Sequence, residues 1–80
     1  MLVKRIELYY TRKDGLETWG SEKSLREAKK TANALIKEGF KDVRIWVDTF
    51  KLEHKDDELI DPIGADLYQE VNGKLVKTKG

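Results

Sequence analysis

Ser24 to Gly39 reads SLREAKKTANALIKEG, and its ends and its internal period together specify an α-helix. Ser24 stands three residues before Glu27, the spacing at which a cap hydroxyl and a carboxylate satisfy each other's orphan amides; Ser21 is a second candidate cap. Leu25, Ala28, Ala32, Leu35, Ile36 and Gly39 recur at steps of three and four, so one stripe of this helix faces a core. Gly39 suits a left-handed stop, with Phe40 folding back toward Leu35 in the manner of a Schellman motif.

The segments on either side alternate with period two. In LVKRIELYY, residues 2–10, Leu2, Ile6, Leu8 and Tyr10 share one face with Lys4, while Val3, Arg5, Glu7 and Tyr9 take the other. Asp14-Gly15 supplies a tight turn, lengthened if Arg12 and Lys13 join it, and Leu16–Gly20 can return beside the first strand. After the helix, VRIWVD (43–48) sets Val43, Ile45 and Val47 against Arg44, Trp46 and Asp48. A right-handed crossover through the helix places this third strand on the free edge of the first, giving the order 2-1-3 with the helix on one face. FKLEHKDDELIDPIG (50–64) mixes a continuation of the third strand with an acidic turn, ends at Asp61-Pro62, and is expected to be a loop. ADLYQE and KLVKT then flank Val71-Asn72-Gly73, and Asn-Gly is the strongest short hairpin signal. The expected fold is a single α+β domain spanning 1–80: one helix on a largely antiparallel sheet, with a C-terminal β-hairpin.

Eighty residues lie near the lower size limit for a core without staples, and cysteine is absent, so packing alone must supply stability. The lack of cysteine, of an N-terminal apolar leader and of any membrane-spanning apolar run fits a cytoplasmic protein with no membrane partner. Net charge is only +1, but residues 1–52 hold 12 Lys/Arg against 8 Asp/Glu, whereas residues 53–70 hold 7 acids against one lysine. This bipolar surface excludes a uniformly basic nucleic-acid binder.

The candidate functional residues lie on the sheet face turned away from the helix. The alternation that buries Ile6, Leu8, Val43 and Ile45 places Tyr9, Trp19 and Trp46 opposite, together with Arg5 and Arg44; Phe50 and Leu52 keep the parity of Trp46 and extend the apolar character of that face. Aromatic rings with arginines are the usual anchors of a protein interface, and the same rings can stack on single-stranded bases. Alternatively, the C-terminal hairpin covers this face through Leu67, Tyr68, Val71, Leu75 and Val76. A homodimer closing the face is a third arrangement, so the chain is expected as a monomer or a homodimer.

On the helix, Arg26, Lys30, Asn33 and Lys37 form an exposed stripe near Lys23, Lys29 and Lys41. Arg26, Lys30 and Lys37 are the candidate phosphate contacts if the partner is nucleic acid. Glu53, His54, Asp56, Asp57, Glu58 and Asp61 lack the spacing of a metal site, and the lone histidine has no nucleophile beside it. The dispersed glycines form no phosphate cradle. No catalytic residue, metal or cofactor is expected.

The core from Trp19-Gly20 through SLREAKKTANALIKEGFKDVRIW resembles a pattern met in small uncharacterised proteins of bacteria and their phages: a short hairpin, an E-A-rich helix ending in E-G, and a V-x-I-x strand. The resemblance covers about thirty residues, and it implies a β-β-α-β layout and a mobile-element origin. The helix segment is also similar to that in the arm-binding domains of tyrosine integrases, which have three strands before the helix; here a strand follows it. The resulting expectation is a small non-enzymatic protein-interaction module, a phage-type regulator or inhibitor of a host protein, with single-stranded nucleic-acid binding as the alternative.

Overall fold

A computed structural model describes residues 1–80. The chain runs β1 (Leu2–Thr11), β2 (Glu17–Glu22), α1 (Leu25–Lys37), β3 (Lys41–Lys51), β4 (Gly64–Val71) and β5 (Lys74–Lys79). All five strands join one antiparallel sheet in the order β2-β1-β3-β4-β5, so the expected 2-1-3 core is present and the C-terminal hairpin continues it.

The helix ends as its sequence dictates and begins with the Ser24 half of the expected capping box, without the return bond from the Glu27 carboxylate. Ser24 is extended (φ −147°) and its hydroxyl accepts the Glu27 amide at 3.1 Å, satisfying one of the orphan donors of the first turn. At the other end Gly39 has φ 90°, Phe40 N–H donates to the Leu35 carbonyl at 3.1 Å and Gly39 N–H to that of Ile36 at 3.0 Å. These two bonds define a Schellman stop, which a residue without Cβ adopts at least cost.

Between its caps α1 packs on the central strands. Ala28 and Ala32 are fully buried, and their small side chains let the helix sit close against Ile6 and Leu8 of β1 and Val43, Ile45 and Val47 of β3. Leu25, Leu35, Ile36, Tyr10 and Phe40 seal the margin, with the Tyr10 and Phe40 rings edge to face at 5.4 Å.

The hairpins differ in their turns. The β1–β2 connection runs over residues 12–16, and the Arg12–Leu16 pair closes a three-residue turn within it: Arg12 N–H donates to the Leu16 carbonyl at 2.8 Å and Gly15 N–H to that of Arg12 at 2.9 Å. This shifts β2 from the expected 16–20 to Glu17–Glu22. Asn72 and Gly73 both have positive φ, 52° and 83°, the two-residue turn that Asn-Gly favours, and Val71 pairs with Lys74 across it.

The hairpin's position settles which of the two expected arrangements holds. β4 pairs with β3 from Arg44↔Gln69 to Thr49↔Gly64 and so extends the sheet. Tyr68 and Leu75 pack against the helix-side core, while Leu67, Gln69 and Val76 join the far face without covering it. Folding over the face instead would leave the outer backbone groups of β3 without ladder partners, and such groups are costly to bury unpaired.

Ser24→Ala should cost about 1 kcal/mol by removing the cap, whereas Ile45→Ala, at a fully buried site, should cost about 2–5 kcal/mol. Urea unfolding checks both. Lower midpoints at an unchanged m-value are expected, and equal effects of the two changes would contradict this account of the core.

Candidate functional site

Antiparallel register aligns the far-face residues in rows across the sheet. One row runs Trp19, Tyr9, Arg44, Gln69, Val76; the next runs Ser21, Glu7, Trp46, Leu67, Lys79; a third runs Arg5, Asp48, Ala65. All five expected interface residues, Tyr9, Trp19, Trp46, Arg5 and Arg44, therefore stand on one surface. Trp19 is 59% exposed and Val76 42%, while Tyr9, Trp46, Leu67 and Arg44 are half-buried among their neighbours.

Contacts within the first row explain the half-burial. Tyr9 and Trp19 rings tilt against each other with centroids 6.3 Å apart. The Arg44 guanidinium lies 5.0 Å from the Tyr9 centroid, donates to Glu17 Oε1 at 2.6 Å and to the Asp42 carbonyl at 3.0 Å. Asp42 makes the last contact possible. The β1–β3 register slips between Tyr9↔Arg44 and Thr11↔Lys41, and Asp42, in this bulge, has a left-handed backbone (φ 55°) while its carboxylate accepts the Thr11 hydroxyl at 3.1 Å. Such bulges re-aim a neighbouring side chain, here Arg44.

Arg5 is held in the same way. It contacts Asp48 Oδ2 at 3.1 Å and Glu7 Oε1 at 3.5 Å, and its guanidinium lies 5.1 Å from the Phe50 centroid. Lys79 Nζ stands 6.0 Å from the Trp46 ring. Exposed ion pairs contribute only about 0–1 kcal/mol, so the consequence of these pairs is positional: each guanidinium is fixed over an aromatic ring.

Phe50 and Leu52 depart from the expectation. Phe50 shares the far-face parity, opposite Val3, yet it is 1% exposed, and Leu52, just past the end of β3, is 7% exposed. Both lie outside the cluster under the helix. The loop between β3 and β4 leaves and returns beside them, with Leu52 N–H donating to the Met1 carbonyl and Ile63 N–H to the Thr49 carbonyl. The far face is thus closed at this end and open at the end bearing Trp19 and Trp46.

Carboxylates are the part of the site that residue type alone undervalued. Glu7, Glu17 and Asp48 sit among Arg5, Arg44 and Lys79, three acids against three bases. Alternation already placed Glu7 and Asp48 on this face, and Glu17 shares the parity of Trp19; its contact with Arg44 follows only once the three-residue turn fixes the register of β2. Burial, followed by the charge of Glu7, pushes the Tyr9 hydroxyl above its ordinary value, partly offset by Arg44 and Arg5.

The helix stripe is elsewhere. Arg26, Lys30, Asn33 and Lys37 are exposed on α1, so the sheet separates them from the aromatic rows. Lys29 turns inward, its Nζ 4.7 Å from the Tyr68 ring. In the acidic loop, Asp57 Oδ2 accepts the amides of Glu53 and His54 at 3.2 and 2.9 Å, and no three His, Cys, Asp or Glu side chains converge as metal ligands. The largest surface depression, about 300 Å³, is shallow and lined by Asp42, Val43, Arg44, Gln69 and Glu70 at the rim of the first row. No helix is long and apolar enough to cross a membrane. Comparison with protein-family models, curated proteins and solved structures returns no match.

Because the Tyr9 hydroxyl is raised, the folded chain keeps this proton where the unfolded chain has lost it. Folding stability should therefore fall as pH rises above about 10. Tyr9→Phe should shrink that loss in alkaline urea titrations, and an identical decline in both proteins would contradict the assignment.

Proposed function

We propose that this chain is a small non-enzymatic protein-interaction module that binds through the open sheet face, with Trp19, Trp46 and Tyr9 as apolar anchors and Arg5 and Arg44 as oriented polar ones. In the setting that its sequence resemblance implies, it acts as a phage-type regulator or inhibitor of a host protein. The observation that carries this reading is the aromatic row itself, left uncovered because the hairpin extends the sheet. Aromatic and arginine side chains in a partly desolvated centre are the groups that dominate protein interfaces.

Charge favours a protein over a nucleic acid. A stacking platform for single strands needs free cations along the backbone path, whereas Arg5 and Arg44 are already paired with Asp48, Glu7 and Glu17. Those carboxylates would meet phosphate with repulsion, and the unpaired basic stripe faces the other way.

The test is capture from source-cell lysate by the tagged chain and by its Trp19→Glu, Trp46→Ala and Arg26→Glu/Lys30→Glu/Lys37→Glu variants. A defined protein should be retained after nuclease and through about 0.5 M salt, where the Debye length is roughly 4–5 Å. Trp19→Glu and Trp46→Ala should lose it with unchanged circular dichroism, and the helix variant should keep it. Nucleic acid that elutes with salt and is lost from the helix variant would overturn the reading.

A further inference from the structure

Resting on that reading of the face, we infer that its first occupant is a second copy of this chain, packed sheet to sheet about a two-fold axis and displaced when another protein binds.

Three observations on the far face select this occupant. The charged groups balance: Arg5, Arg44 and Lys79 stand among Glu7, Glu17 and Asp48, so the face attracts neither a strongly acidic nor a strongly basic surface, and a surface with the same balance approaches it without repulsion. A second copy carries that balance by construction, as an isologous interface requires.

The footprint is also sufficient. Five strands spaced by about 4.8 Å, over about six residues of about 3.3 Å each, give a face of roughly 500 Å². Closing two such faces removes on the order of 1,000 Å² in total, the size of a weak, reversible interface. Packed at the usual separation of about 10 Å with strands within about 30°, the two sheets would interdigitate Trp19, Trp46, Leu67 and Val76.

Finally, the single chain buries little. Only 9 of its 80 residues are buried, seven of them in the cluster beneath the helix, so a second layer on the far face adds the burial that a domain of this size otherwise lacks.

Both tryptophans of the chain lie on this face, so their emission reports its closure directly. Sedimentation equilibrium and Trp emission are measured on the full chain over a dilution from about 500 to about 0.5 µM, a range that brackets micromolar association. Mass should fall from twice the 9.3 kDa of one chain toward that value, with a parallel red shift of emission. Trp19→Glu/Val76→Glu changes two exposed positions and should weaken association at least tenfold with unchanged circular dichroism; Arg26→Glu/Lys30→Glu should leave it unaltered.

A 9.3 kDa mass with unmoving emission at every concentration overturns the inference. So does a dimer indifferent to Trp19→Glu/Val76→Glu, which would be held by its strand edges. A monomer whose Trp19→Glu variant loses a captured protein removes the dimer and leaves the proposed function standing. A concentration-dependent dimer whose tryptophan variants capture the same lysate proteins as the unaltered chain keeps the pairing of two copies but overturns its displacement by another protein, and with it the proposed function.

Discussion

One 13-residue helix must serve a sheet of five strands, and everything else in this molecule follows from that shortage. A helix is about 10–12 Å across with its side chains, while five strands span about 24 Å. Seated through Ala28 and Ala32, α1 covers the central strands β1 and β3. The β4–β5 hairpin gains its share of the core only through Tyr68 and Leu75, with the Lys29 stem reaching across Tyr68. Nothing remains in the chain to form a layer on the opposite side except the loop that leaves and returns beside Phe50 and Leu52.

The composition of the opposite side reflects this. A permanently buried face would be uniformly apolar, and a permanently wet one would carry few rings. Here three of the four rings have a cation beside them, Arg44 at Tyr9, Arg5 at Phe50 and Lys79 at Trp46, while Trp19 rests against Tyr9 alone. The methylene stems of such side chains shield apolar area while their charged ends stay hydrated. Exposure of the aromatics is thereby made less costly, and the surface suits association that must also reverse.

Much of the architecture was legible from local signals. Ser24 and Gly39 bound the helix, Asn72-Gly73 formed the expected turn, and the alternation in β1 and β3 sorted their residues onto the correct faces. The path of the C-terminal hairpin was not legible, because β4 and β5 carry apolar groups on both sides: Leu67 and Val76 on one, Tyr68 and Leu75 on the other. Either arrangement buries some of them, and the choice is made by the free backbone of β3. Burial of Phe50, which shares the parity of the open face, is not announced by the alternation of β3. The Asp42 bulge precedes the first alternating residue, Val43, so no break in pattern announces it. The Arg44–Glu17 pair depends on a turn one residue longer than the minimal hairpin, a difference that changes register without changing composition.

The pairing of β1 with β3 also bears on how the chain reaches this structure. Leu2 lies opposite Lys51, and the Met1 nitrogen donates to the Leu52 carbonyl 51 residues away at 2.7 Å, whereas the β1–β2 and β4–β5 hairpins and the helix close over short distances. Local elements of this kind form in microseconds. Joining β1 to β3 must first restrict a loop containing β2 and the whole helix, and its ladder compensates that entropy only as successive pairs form. The central pair of strands consequently carries the largest loop-closure cost of any pairing in the sheet, and docking of the helix across them is what shortens that loop.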